Sequence, residues 1–326
     1  IKVFIKGMTI MYDVIIIGSG PAGLSASIYA VRDQLKTIVV EKIHFGTGQI
    51  SESDRIENYL GLYGENGYEL GMKFREHALK LGVEFYEGEA TKINFSNGSY
   101  IVNFKNGYYL KSRSLIYAAG ANHLKLGVKG EDEFYGKGVS YCATCDGAFY
   151  KGKTVTVVGG GDTAFSYALL LSKIAEKVYL VHRRSVFRAN KSLQKKLKAA
   201  VNVEFLLNSE IIEIMGNQKI KSINLIQNKT EKNILTDGIF IAIGIKPNTA
   251  LLKNKVTLDD NGYIIADENG ITSVPGLFAA GDVRKKRLRQ IVTAVSDGAC
   301  CAVSAEDYLN KDNICLLYTS DAADEL

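Results

Sequence analysis

Cys142 and Cys145, set in the run Tyr141-Cys142-Ala143-Thr144-Cys145-Asp146-Gly147, are two thiols separated by two residues. That spacing lets a small disulfide ring close and reopen, so that two electrons are accepted and passed on. Half of a zinc site has the same appearance, yet the other half is missing. The remaining cysteines are Cys300, Cys301 and Cys315, and His44, His77, His123 and His182 lie scattered without ligand spacing. Five cysteines in 326 residues do not make a structural disulfide framework, and no secretory signal reads ahead of them. Redox exchange is the expected chemistry and no metal is expected; the dithiol then needs an electron source.

Two elements could position that source. The strand Tyr12–Ile17 runs into Gly18-Ser19-Gly20-Pro21-Ala22-Gly23 and a helix over Leu24–Ala30. In this context Gly18 permits a tight turn, Gly20 lets backbone approach a pyrophosphate, and Gly23 allows close helix packing. Pro21 suits the first helical turn, where its missing N–H costs nothing. The next strand, Thr37–Val40, ends at Glu41, placed to accept hydrogen bonds from a ribose. A second copy follows the cysteines: the strand Thr154–Val158, then Gly159-Gly160-Gly161-Asp162-Thr163-Ala164, then a helix over Phe165–Ile174. Its following strand, Lys177–Val181, ends in His182-Arg183-Arg184, with Arg188 beyond, instead of an acid. Clustered guanidinium groups accommodate a 2′-phosphate, so the second site is expected to take NADPH. The Glu41 site needs a carrier between hydride and thiol, and FAD fits that role. Near the end, Gly276-Leu277-Phe278-Ala279-Ala280-Gly281-Asp282 reads as an apolar strand closing in Gly-Asp, a second acid for the flavin side.

Composition excludes other classes. The net charge of +5 is mild and acids alternate with bases along most of the chain. The densest basic run, Arg284-Lys285-Lys286-Arg287-Leu288-Arg289, reads as a solvated surface loop, and no nucleic-acid partner is expected. No apolar run approaches the roughly 18 residues that span a bilayer, so no membrane association is expected. Both ends read as non-native. Residues 1–10 precede Met11, which looks like the natural start, and residues 315–326 resemble translated sequencing adapter, with the natural end expected near Asn313.

The expected fold class is therefore α/β, with two Rossmann-like three-layer domains and the NADPH domain inserted into the FAD domain. The FAD domain is discontinuous over residues 11–120 and 248–314; the NADPH domain covers 121–247 and carries the redox pair. Two short crossings, Ala118-Ala119-Gly120-Ala121 and Gly244-Ile245-Lys246-Pro247-Asn248, form a natural hinge.

The motifs, in order, resemble those of the bacterial low-molecular-weight thioredoxin reductases over about Met11–Asn310. Besides the two glycine turns and Cys142-Ala143-Thr144-Cys145-Asp146-Gly147, they include Gly48-Gln49-Ile50, Ile56-Glu57-Asn58-Tyr59, His182-Arg183-Arg184 with Arg188-Ala189, Ala242-Ile243-Gly244 with Pro247-Asn248-Thr249, and Gly281-Asp282 followed by Arg289-Gln290. The resemblance implies a cytoplasmic homodimer that binds FAD and NADPH and reduces thioredoxin, electrons passing from NADPH through FAD to the Cys142/Cys145 disulfide. It implies flavin contacts for Gly48, Gln49, Asn58, Gly281, Asp282, Arg289 and Gln290. It assigns Cys145 to the flavin, Cys142 to attack on the partner disulfide, and Asp146 to acid/base work. That last role is chemically sensible, since a carboxyl beside a dithiol shuttles protons if partial burial raises its pKa.

Departures from the family pattern are Ser166 and Tyr167 where two acids are usual, Thr47 for a glycine, Leu60 for a proline and His123 for an arginine. A ferredoxin-dependent relative would lack the arginine cluster. A flavin subunit of alkyl hydroperoxide reductase would need a thioredoxin-like region ahead of the first strand. A flavin redox sensor would use the dithiol as a switch without passing electrons on.

Overall fold

The run Met11–Ile17 forms a strand whose side chains are buried on both faces, as a near-continuous apolar run in a parallel sheet should be. Ile15 and Ile17 enter one core, whereas Val14 and Ile16 enter the core on the opposite face. In the computed structural model, residues 10–53, 55–96 and 98–321 are described. Of the ends read as non-native, residues 1–9 and 322–326 lie outside the described residues.

The chain divides into two compact units. The first takes in the residues up to Ser53, then Tyr59–Asn122, and everything from Lys246 onward. Its sheet is seven-stranded, in the order Glu84–Glu87, Thr37–Glu41, Met11–Ile17, Tyr109–Tyr117, Ser99–Phe104, Ala90–Ser96. The strand Leu277–Ala279 joins Leu115–Tyr117 in parallel, beyond the stretch Tyr109–Ser112 that pairs antiparallel with Ser99–Phe104. The helix Pro21–Arg32 starts on Pro21 and buries a face of small residues, Ala22, Gly23, Ser25 and Ala26 among them. That face lets the C-terminal helix Ile291–Asp321 come close: a Cβ on Gly298 would collide with the Ala22 carbonyl.

The second unit holds residues 55–58 and His123–Ile245. Five parallel strands lie in the order Val203–Leu207, Lys177–His182, Thr154–Val158, Gly238–Ile241, Val139–Ser140. Val155, Val157 and Phe240 fill one core, and Val158, Ile239 and Ile241 the other. Each such side chain contributes about 1.5–3 kcal/mol by leaving water. A three-stranded antiparallel sheet, Ser209–Gly216, Ile220–Gln227 and Thr230–Leu235, completes the unit. The helix after the second glycine turn spans Asp162–Leu171, shorter at its C-terminal end than the expected run to Ile174. The Leu171 carbonyl accepts from both Ile174 and Ala175, which tightens the chain out of the α-helix. Among the described residues no helix is long and apolar enough to cross a membrane.

Candidate active site

In the first unit, Gly18 sits at φ +103°, a left-handed conformation that favours glycine, and its N–H donates to Val40 at 2.8 Å. A Cβ on Gly23 would collide with the Gly18 carbonyl, so the helix can approach the strand only with glycine there. Gly20 differs: a Cβ there would meet nothing nearer than Gly48 Cα and Thr47 O at 3.8 Å. A Cβ there would make ordinary contact without a clash, so the protein's own packing does not demand glycine at this position. Gly48, at φ +74°, forms the facing wall, and Gln49 Nε2 donates to the Ala121 carbonyl.

Glu41 stands at the end of its strand as expected, and its carboxylate is already oriented by protein. Oε2 accepts from Ser19 N (3.1 Å) and Ser19 Oγ (2.8 Å), and Oε1 from the Lys42 and Ile43 amides (2.8 and 3.1 Å). Arg75, 3 % exposed, lies 4.1 Å over the Phe85 ring and donates to Gly46 O and Glu87 behind the same loop. Thr47 is buried too; a Cβ on Gly71 would collide with its hydroxyl, so this departure is accommodated by a glycine on the helix Gly67–Lys80.

Gly281, at φ +76°, brings the Gly-Asp turn against Ala22, and its N–H donates to Asp297 at 2.9 Å. Asp282 Oδ1 and Arg289 Nε are buried without a protein partner, and the Arg289 guanidinium lies 4.1 Å over the Tyr263 ring. Burial pushes the Asp282 carboxyl above its usual range, against the pull of Lys286 and Arg289. Gln290 caps the C-terminal helix through Thr293. Orphaned polar atoms beside a glycine turn fit a polar dinucleotide such as FAD. Asn58 is exposed and belongs to the second unit.

The basic run 284–289 is a solvated loop only in part: Lys285, Arg287 and Leu288 are exposed, but two of its cations are not. Arg284 and Lys286 fold inward onto Asp297, at 3.1 and 2.6 Å, and Arg284 is 8 % exposed. Sequence spacing alone did not reveal this, because the neutralising carboxylate arrives from the following helix.

In the second unit Gly159 repeats the turn at φ +148°, and its N–H donates to Val181 at 3.0 Å. Gly161, unlike Gly20, is open, with nothing within 4 Å of a Cβ there. Asp162 and Thr163 are exposed, and Asp162 Oδ1 accepts from Asn190 N at 2.7 Å. The Gly160 carbonyl accepts from Arg188 N and Ala189 N at 2.8 and 3.1 Å, tying the arginine-bearing arm to the glycine turn. Arg183, Arg184 and Arg188 are exposed, and none forms an ion pair among the described residues. His182 behaves differently from its neighbours. It is 7 % exposed, stacks on Phe187, and hydrogen-bonds the Val186 carbonyl through Nε2 at 3.1 Å. Burial first, then the neighbouring arginines, hold its pKa below the ordinary value.

The dithiol lies in the same unit, just past the strand Val139–Ser140. Cys142 and Cys145 form a disulfide with Cα atoms 5.3 Å apart, closed by one helical turn, Ala143–Asp146, that Cys142 caps. The Cys142 carbonyl accepts from Cys145 N at 3.2 Å and from Asp146 N at 3.0 Å. Both cysteines and Asp146 are half-buried. Ser140, which the sequence did not single out, donates through Oγ to Asp146 Oδ2 at 2.6 Å and accepts the Cys142 N–H at 3.0 Å. Tyr141 is anchored by its hydroxyl on Glu131 (2.7 Å) and by stacking on His123 (5.0 Å between centroids). A disulfide beside a carboxyl carries out thiol–disulfide exchange with local proton transfer.

Fold and site define the class, and the chain belongs to the pyridine nucleotide-disulphide oxidoreductases, whose family pattern matches residues 12–298. Within that class it falls among the thioredoxin reductases. It is 41 % identical to the thioredoxin reductase of Mycoplasma genitalium over 93 % of this chain and 97 % of that one. Against the thioredoxin reductase of Bacillus subtilis it is 42 % identical, covering 92 % and 96 %. The crystal structure of thioredoxin reductase from Streptococcus pyogenes matches with a TM-score of 0.88 at 40 % identity, covering 93 % of this chain and all of that one.

Proposed function

We propose that this protein is an NADPH-dependent flavoprotein that reduces the disulfide of thioredoxin. The observation that carries the reading is the Cys142–Cys145 disulfide with Asp146 held beside it, in a chain with two glycine turns after parallel strands. The first unit is assigned to FAD, through Gly18, Gly20, Pro21, Ala22, Gly23, Glu41, Gly48, Gln49, Asp282, Arg289 and Gln290. The second is assigned to NADPH, through Gly159, Gly161, Asp162, Thr163 and the arginines 183, 184 and 188. When bound, FAD relays the electron pair of NADPH to the disulfide.

The protein's own groups do the rest. Reduction of the disulfide leaves two thiols, and Asp146 takes or returns the proton that each exchange demands. The Cys142 thiolate attacks one sulfur of the thioredoxin disulfide, forming a mixed disulfide and displacing the other sulfur as a thiolate. Cys145 then attacks Cys142, the protein disulfide reforms, and the second thioredoxin thiolate leaves and is protonated. Thioredoxin gains two electrons and two protons, and the protein returns to its oxidised form. A homodimer in the cytoplasm is part of the proposal, on the strength of the family resemblance.

The test follows NADPH oxidation with purified FAD-loaded protein and thioredoxin, ferredoxin or no acceptor. Turnover only with thioredoxin supports the proposal. Flavin reduction without thiol transfer would make the protein a sensor, and failure of NADPH to reduce the flavin would overturn the assignment of the arginine cluster.

A further inference from the structure

The peptide bond between Tyr141 and Cys142 is held at both of its polar ends by side-chain hydroxyls. On the carbonyl side the Tyr167 hydroxyl donates to Tyr141 O at 3.2 Å, across 26 residues, from the helix that follows the second glycine turn. On the amide side the Cys142 N–H donates to Ser140 Oγ at 3.0 Å. A trans peptide unit is planar, so fixing both its C=O and its N–H fixes the direction in which the chain enters Cys142. Of the two acceptors in reach of the Ser140 hydroxyl, Asp146 Oδ2 at 2.6 Å is far nearer than the Cys142 carbonyl at 3.4 Å, so the hydroxyl that accepts from Cys142 also aims the carboxyl.

We propose that Tyr167 and Ser140 are positioning residues for the dithiol, locking this peptide plane so that the Cys142 sulfur and the Asp146 carboxyl keep their register when the disulfide opens. Tyr167 stands where the family usually carries an acid. A carboxylate there could not donate to the Tyr141 carbonyl and would repel Asp146, whereas a phenol donates and is neutral. Burial first, and then the charge of Asp146, push the Tyr167 phenol upward, so it stays protonated and remains a donor. The inference rests on Cys142 as the attacking thiol and Asp146 as its acid.

The test reduces the whole FAD-loaded protein chemically, removes the reductant, and follows one turnover anaerobically against oxidised thioredoxin and, separately, against the small disulfide 5,5′-dithiobis(2-nitrobenzoate). Tyr167→Phe keeps the ring and removes only the hydroxyl. Its limiting rate should fall about three- to tenfold, the range of one hydrogen bond, with the half-saturating concentration of the probe unchanged. Because both hydroxyls act on one peptide plane, Ser140→Ala should cost less in the Tyr167→Phe background than alone. A Tyr167→Phe rate equal to wild type, a change confined to half-saturation, or strictly additive losses would overturn the inference. If wild type transfers to the small disulfide but not to thioredoxin, the functional proposal fails while the small probe still decides the role of Tyr167.

Discussion

Asp297 accepts the backbone N–H of Gly281 at 2.9 Å, reaching back across 16 residues to hold the turn that presents Asp282. The same carboxylate pairs with Arg284 and Lys286, all three side chains being at most 12 % exposed. One carboxylate therefore pairs with two largely buried cations and fixes a left-handed glycine beside the first nucleotide turn.

Replacing Asp297 by Ala strands both cations. Removing one partner of a buried pair costs about 3–5 kcal/mol, because the remaining charge stays desolvated. Thermal melting of the FAD-free protein should drop markedly, and flavin retention on gel filtration should fall with it. Asp297→Asn keeps an acceptor for Gly281 and should lose stability but retain more flavin than Asp297→Ala. Equal flavin loss in the two variants would separate Asp297 from the Gly281 turn.

Much of this was legible in the chain and some was not, for identifiable reasons. Gly18, Gly23 and Gly159 act locally, through backbone geometry within a few residues of the motif, so the motif sufficed to place them. The burial of Arg284 and Lys286 depends on a carboxylate in another element, and the run of like charges by itself looked solvated. His182 sits in a basic cluster by sequence, yet its ring packs inward on Phe187, in room left only because Gly160 has no side chain. Ser140 and Tyr167 matter through one peptide bond, which spacing does not reveal. Tyr167 was noticeable only as a departure from the family pattern.

The contrast between Gly20 and Gly23 is testable. Gly20→Ala places its methyl in ordinary van der Waals contact with Gly48 and Thr47, at a backbone conformation any residue adopts, so the FAD-free protein should melt within about 1 kcal/mol of wild type. Flavin affinity should nevertheless fall steeply, read by fluorescence titration. Gly23→Ala meets the Gly18 carbonyl and should destabilise the FAD-free protein itself by about 1–3 kcal/mol. The reverse pattern would mean that the cofactor does not lie against Gly20.

Arg183, Arg184 and Arg188 are free of ion pairs among the described residues and should supply the preference for a 2′-phosphate. A charge-assisted hydrogen bond in an exposed site corresponds to roughly a tenfold change in binding. Arg183→Ala or Arg188→Ala should raise KM for NADPH about tenfold and leave KM for NADH nearly unchanged, with kcat retained. An equal rise for both cofactors would place the arginines elsewhere than at the 2′-phosphate.

His123 and His182 both have pKa values held below the ordinary value by burial. A histidine kept neutral in the folded state takes up a proton on unfolding once the pH falls below its unfolded value of about 6.5. Their contribution is thus fully present above that value and is lost as pH falls toward the folded pKa. Urea midpoints should be flat from pH 7.5 to about 6.5 and decline below it. Replacing both by Gln should flatten the decline; an unchanged slope would assign it to other groups.

Tyr141 is tied down in three directions: hydroxyl to Glu131, ring to His123, carbonyl to Tyr167. The chain entering Cys142 therefore has little conformational freedom to gain when the disulfide opens. After attack on a partner, Cys145 meets the new disulfide by side-chain rotation alone, at an effective concentration set by the fold instead of by a loop search. The covalent complex is brief by construction, and trapping it calls for deleting the Cys145 sulfur, because weakening the partner's hold leaves the internal step untouched.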